Sequence, residues 1–131
     1  MIELIKKWDI DIIVGPESRG FIFGTPLAYK LNVGFVPTRK KNKLPAPSII
    51  DYYDTEYSKA SLSIHKDSII PGQKVLLVDD LLATGGTIKA SANLVEQLGG
   101  KVIGAIFLVE LTSLEGKNNL NDIPYHSLLK Y

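Results

Sequence analysis

Four short apolar runs punctuate the chain: Ile10 to Val14, broken by Asp11; Val33 to Val36; Val75 to Val78; and Val102 to Val109, with Gly104 inside. Each is rich in β-branched residues and apolar at consecutive positions rather than alternate ones. That pattern predicts strands buried on both faces, as in a parallel sheet. Two helix-like stretches lie between them. Phe21 to Leu31 is closed by Asn32 and Gly34. Thr87 to Leu98 carries Ile88, Ala92, Val95 and Leu98 near helical spacing and is closed by Gly99-Gly100. Ile10 to Val36 and Val75 to Val109 therefore each read as a βαβ unit. Two such units predict an α/β fold: a mostly parallel twisted sheet flanked by helices on both faces. Lys40 to Tyr57, with Asn42, Pro45, Pro47 and several charges, reads as a long, irregular, mobile loop, the kind that serves as a lid. Ala60 to Ile64 alternates weakly and suggests a strand returning from it. Tyr125 to Tyr131 suggests a last strand.

The chain has 131 residues and no internal repeat or linker, so residues 1–131 are expected to form a single domain. It has no cysteine, which excludes a disulfide scaffold, a thiolate nucleophile and a Cys-ligated zinc site. Two histidines, His65 and His126, are too few for a His-rich centre. No apolar run approaches the roughly 20 residues that span a bilayer, and the first residues lack the apolar stretch of a signal peptide. The expectation is a soluble, cytoplasmic protein with no membrane partner. A net charge of +1 argues against a general nucleic-acid binder.

The string Val75 to Thr87, VLLVDDLLATGGT, carries the strongest chemical signal. An apolar strand ends in two carboxylates, Asp79 and Asp80. A short loop then delivers Ala83, Thr84, Gly85, Gly86 and Thr87 onto a helix start. Ligands of open α/β sheets bind outside the carboxyl ends of the strands. Paired glycines let backbone N–H groups approach an anion, the threonines add hydroxyls, and the helix adds its positive dipole end. The loop is a phosphate cradle, yet it has neither the lysine of a Walker A loop nor the Gly-x-Gly-x-x-Gly fingerprint. Carboxylates beside a phosphate make sense if they accept hydrogen bonds from sugar hydroxyls or approach a divalent cation. The implied ligand is a phosphorylated sugar.

This string resembles the phosphoribosyl-pyrophosphate signature of the type I phosphoribosyltransferases. Further elements resemble the adenine-using branch of that family: Gly15 to Gly24 (GPESRGFIFG), Arg39-Lys40, Lys43-Leu44-Pro45, Glu56-Tyr57, Val109-Glu110-Leu111 and Ser127-Leu128-Leu129. The resemblance covers nearly the whole chain. It implies the type I phosphoribosyltransferase fold and transfer of the phosphoribosyl group to adenine, with Mg²⁺, giving AMP and pyrophosphate. It implies that Asp79, Asp80, Ala83, Thr84, Gly85, Gly86 and Thr87 hold ribose and 5′-phosphate. Ser18, Arg19, Gly20, Arg39, Lys40, Lys43 and Tyr57 would meet pyrophosphate. Glu56 would handle the purine's proton as the catalytic residue, and Leu111 would pack on the base. Mg²⁺ would come with the substrate, near Asp79 and Asp80, with no direct protein metal site. The family often has a cis peptide in the first loop, which here falls between Glu17 and Ser18.

Lys41 falls outside the family pattern and is expected to be solvated. Gly20 and Gly24, four apart, are expected to let a helix pack closely on the sheet. Family members carry several tens of residues before the first strand, forming a hood over the base. Fourteen residues precede Gly15 here, so the expectation is a core domain whose hood is absent or truncated. A homodimer is expected from the family's habit. Two alternatives stand beside the enzyme reading: a non-catalytic binder of phosphoribosyl pyrophosphate or nucleotide that regulates, and a transferase for another purine.

Overall fold

In the computed structural model, residues 1–55 and 58–131 are described. In chain order they form α1 (Ile2–Ile5), β1 (Ile12–Pro16), α2 (Arg19–Leu31), β2 (Gly34–Lys40), β3 (Ser48–Asp54), β4 (Lys59–His65), β5 (Lys74–Leu82), α3 (Gly86–Gln97), β6 (Lys101–Glu110), two short 3₁₀ turns (Thr112–Leu114 and Gly116–Leu120) and β7 (Tyr125–Lys130). The strands make one sheet in the order β3-β4-β2-β1-β5-β6-β7. The pairs β1–β2, β1–β5, β5–β6 and β6–β7 are parallel, while β2–β4 and β3–β4 are antiparallel.

The consecutive apolar runs are explained by two cores, one on each face. Ile12, Val14, Val75, Leu77, Ala105 and Phe107 face α3. Their neighbours Ile13, Leu76, Val78 and Ile106 point the other way, toward α1 and α2. Side chains alternate across a strand, so a strand covered on both faces is apolar at every position. Each fully buried side chain of this size contributes roughly 1.5–3 kcal/mol of transfer free energy.

α2 lies close on the sheet because of its glycines. A Cβ at Gly24 would fall 2.5 Å from the Phe35 ring, and one at Gly20 would fall 2.9 Å from the Val78 carbonyl oxygen. The helix ends where expected: Asn32 adopts the left-handed conformation (φ 56°). Gly99 (φ 84°) turns the chain after α3. Gly and Asn enter that region at the least steric cost.

The expected loop at 40–57 needs correction. Ser48–Asp54 within it forms β3 and pairs along its length with β4, from Ser48 opposite His65 to Asp54 opposite Lys59. The resulting hairpin extends the sheet: β4 also pairs with β2 at Arg39–Ser63 and Lys40–Leu62. Pro45 and Pro47 suit the turn that leads into β3, and Ile49, Ile50, Tyr52 and Tyr53 suit a pleated, half-buried surface. Two other strands run longer than their apolar runs. β2 continues through Thr38, Arg39 and Lys40, and β5 continues through Asp79 and Asp80 to Leu82.

Candidate active site

Because β1, β2 and β5 run parallel, their carboxyl ends open on one edge of the sheet. Ser18, Arg19 and Gly20 follow β1, Lys40 closes β2, Asp79 and Asp80 lie near the end of β5, and α3 starts just beyond. Together they surround a cavity of about 320 Å³ lined by Glu17, Ser18, Arg19, Lys40, Tyr53, Leu62, Asp79, Asp80 and Thr87. An adjoining hollow of about 160 Å³ shares Arg19, Asp79, Asp80 and Thr87 and runs along Ala83, Thr84 and Gly85.

The charges are arranged in opposed sets. Arg19 Nε donates to Asp80 Oδ2 at 2.5 Å. The backbone N–H of Asp80 donates to Asp79 Oδ1 at 2.8 Å. Asp79 is buried, and burial pushes its carboxyl up from 3.8 to about 7; the Asp80 side chain pushes the same way, while the Asp80 N–H and the Arg19 cation push against it. Across the cavity, Glu17 Oε2 accepts from Arg39 Nε and from the Lys40 N–H, both at 3.1 Å. The Glu17 N–H donates to the Thr38 carbonyl at 2.8 Å. Glu17 thus ties the first loop to the end of β2. The peptide between Glu17 and Ser18 is cis, at the position the family pattern assigns.

The loop into α3 is built for close approach. Gly85 is left-handed (φ 82°), and among the described residues no side chain caps the helix start. The first amides of α3 thus have no side-chain cap among the described residues. Asn119 Nδ2 donates to the Thr84 carbonyl at 2.7 Å. Thr87 Oγ1 donates to the Tyr53 hydroxyl at 3.4 Å, joining the hairpin to the helix start.

Most of the residues singled out in the sequence meet at this edge. Ser18, Arg19, Lys40, Asp79, Asp80 and Thr87 line the larger cavity, and Ala83, Thr84 and Gly85 line the smaller. Gly20 lies behind them against Val78 and Asp79. Gly86 opens α3 beside the Tyr53 ring. Arg39 is engaged by Glu17 and by the Lys43 carbonyl (3.1 Å), so it stands next to the cavity, outside its lining. Leu111 follows β6 and donates its N–H to the Leu82 carbonyl at 2.9 Å; it lines neither cavity. Glu56 and Tyr57 lie outside the described residues. Lys41 donates to the Tyr52 hydroxyl at 3.3 Å on the exposed side of the hairpin. Sequence reasoning missed Tyr53 as a lining residue because it took 40–57 for a loop, and missed Leu62 because it read Ala60 to Ile64 only as a returning strand with no part in the site. It left Glu17 without a role, although a carboxylate between two basic segments was a visible signal.

Residues 1–126 match the family model described as the phosphoribosyl transferase domain. The chain belongs to the phosphoribosyltransferase family. Within that class its near relatives are adenine phosphoribosyltransferases. The one from Alkaliphilus oremlandii is 57% identical over 131 residues, covering 100% of this chain and 76% of the relative. The crystal structure of the enzyme from Thermoanaerobacter pseudethanolicus superposes with a TM-score of 0.96 at 54% identity, over 98% of this chain and 75% of that one. The enzyme from Saccharomyces cerevisiae, solved with an imino-altritol bisphosphate and adenine, gives 0.91 at 44% identity, over 98% of this chain and 72% of that one.

Proposed function

We propose that this chain transfers the 5-phosphoribosyl group of phosphoribosyl pyrophosphate to adenine, giving AMP and pyrophosphate, a purine-salvage reaction. One observation carries this reading: the acidic pair of β5, the basic residues Arg19 and Lys40, and the uncapped start of α3 surround one pair of adjoining cavities. A ligand with a phosphate at one end, a polyol in the middle and a pyrophosphate at the other has a partner for each part. Adenine as the acceptor is supported by the relatives, which share that name at more than half identity.

Ala83 to Thr87 hold the 5′-phosphate with backbone amides and hydroxyls, aided by the helix dipole. Asp79 and Asp80 accept hydrogen bonds from the ribose hydroxyls. Ser18, Arg19, Gly20, Lys40 and Lys43 take the pyrophosphate, with Arg39 contributing from behind through Glu17. The bond from C1 to the pyrophosphate oxygen breaks with positive charge developing on the ribose, and that oxygen leaves carrying the electron pair. Cations fixed beside the leaving group stabilise this separation without reorganising. The adenine nitrogen then bonds to C1 and loses its proton, a transfer assigned to Glu56. Tyr57 closes on the pyrophosphate side, and Leu111 offers apolar surface to the base. Mg²⁺ would arrive bound to the phosphoribosyl pyrophosphate, close to Asp79 and Asp80 and without a direct protein ligand. When bound, Mg²⁺ supplies neutralisation of the pyrophosphate charge.

The same reading takes residues 1–131 as one core domain, working in the cytoplasm as a homodimer. Ile22 and Tyr29, 65% and 89% exposed on the outer face of α2 with Pro26 between them, are the apolar surface that supports association. The test is to incubate the purified chain with phosphoribosyl pyrophosphate, Mg²⁺ and an equimolar mixture of adenine, hypoxanthine and guanine, and to identify the nucleotides formed. AMP as the main product is expected. No nucleotide, with phosphoribosyl pyrophosphate still bound, would refute transfer; a different main product would refute adenine as the acceptor.

A further inference from the structure

We infer that Asn119, with Gly116, is a positioning strut for the 5′-phosphate loop, setting the orientation of the Thr84–Gly85 peptide and so the chain's affinity for a phosphomonoester. The inference rests on the function proposed above. The loop from Ala83 to Gly85 is shaped by contacts with the 3₁₀ turn Gly116–Leu120, which comes from the far side of β6. Asn119 Nδ2 donates to the Thr84 carbonyl at 2.7 Å. The Thr84 C=O and the Gly85 N–H share one planar trans peptide and point in opposite directions. Fixing the carbonyl on Asn119 therefore aims the Gly85 N–H away from the Asn119 amide. That N–H makes no backbone hydrogen bond among the described residues, so it is left for a ligand.

Two glycines let the segments approach. A Cβ at Gly116 would collide with the Ala83 carbonyl and fall 3.0 Å from the Gly85 nitrogen. A Cβ at Gly85, where φ is +82°, would fall 2.9 Å from Asn119 Cβ. Neither position tolerates a side chain while the loop keeps its shape. The turn itself is anchored, because Leu120 is fully buried in the core that packs under α3. Asn119 is thus held by a rigid element and passes that rigidity to a loop that a flexible side chain would leave free. Asn119 touches the loop's outer side and is absent from the lining of both cavities, so it acts through the loop and not on the substrate.

The test is calorimetric binding of two separate probes to the full chain: ribose 5-phosphate, which reads the phosphate loop, and inorganic pyrophosphate, which reads Arg19 and Lys40. Asn119→Leu approximates the shape and removes the donor without adding a charge. It is expected to weaken ribose 5-phosphate by about tenfold, the equivalent of one lost hydrogen bond, and to change pyrophosphate affinity by less than about twofold. Asn119→Gln, which restores an amide donor, is expected to recover most of the loss. Gly116→Ala is an independent probe and is expected to give the same selective loss. Unchanged ribose 5-phosphate affinity in both the Asn119→Leu and Gly116→Ala variants would overturn the strut, and so would an equal loss for both probes, which marks general damage. A wild-type chain that binds neither probe would overturn the proposed function first, and the strut with it.

Discussion

Arg19 Nε lies 2.5 Å from Asp80 Oδ2, joining side chains 61 residues apart in the chain. The proposed roles give these two groups to different parts of one ligand, yet without it they neutralise each other. The arginine side chain is 69% exposed, and an exposed pair of this kind is worth about 1 kcal/mol or less. A ligand phosphate can therefore draw the arginine away at small cost. Asp80→Asn should then have opposite effects on two ligands. Pyrophosphate alone should bind about two- to fivefold tighter, because Arg19 is released and a repelling charge is gone. Phosphoribosyl pyrophosphate should bind about tenfold weaker, because a ribose contact is lost. Calorimetric titration of both ligands checks the sign of each change.

Asp79 links the site to stability. Its carboxyl is raised to about 7 in the folded chain from an ordinary 3.8, mainly by burial. The folded state thus binds a proton that the unfolded state has released over that interval. The stability this gives is complete below about pH 4 and is lost as pH rises through about 7. Asp79→Asn cannot titrate, so the melting temperature of the variant relative to wild type should rise between pH 5 and pH 8. A difference independent of pH would contradict the raised carboxyl.

Gly20 sits where the first loop meets β5. A Cβ there would lie 2.9 Å from both the Val78 carbonyl oxygen and Pro16 Cδ, and 3.2 Å from Asp79 Oδ1. These neighbours are backbone, a ring and a buried carboxylate, none of which yields easily. Gly20→Ala should cost about 1–3 kcal/mol of stability and displace Arg19. Urea unfolding and pyrophosphate binding should both fall in this variant.

Glu56→Ala should lower turnover by about a hundredfold or more, the usual range for loss of a general acid or base. The dissociation constant for phosphoribosyl pyrophosphate should change little. Equal losses in both would show that the residue binds rather than transfers a proton. Steady-state rates beside equilibrium binding separate the two.

Lys41 belongs to the same basic run as Arg39 and Lys40 but points to the outside of the hairpin, toward Tyr52. Lys41→Ala should leave turnover within about twofold, whereas Lys40→Ala should lower it at least tenfold. Parallel assays of the two variants would show whether position, not local charge density, decides which lysine serves the site.

Legibility in the sequence followed the range of the interactions. Ile13 and Leu76 sit in short runs rich in β-branched residues and apolar at consecutive positions, the pattern of strands covered on both faces; the parallel sheet was therefore readable. Asp79 to Thr87 was readable because a strand end, a glycine pair and a helix start are consecutive in the chain. β3 was not, because Ser48–Asp54 is half-buried and owes its form to β4, which comes later in the chain. Pro45 and Pro47 gave the stronger local signal and pointed to irregular structure. Asn119 could not be found at all: its partner Thr84 is 35 positions away, and an asparagine in a polar turn carries no pattern.

The central claim is that the ends of β1, β2 and β5 and the start of α3 form one site for one ligand. The most direct test follows backbone amide resonances while phosphoribosyl pyrophosphate and Mg²⁺ are titrated into the chain. A single site predicts that Ser18 to Gly20, Lys40 and Asp79 to Thr87 shift together with one dissociation constant. Shifts confined to one of these segments, or centred on the opposite end of the sheet around Trp8 and Pro124, would contradict it.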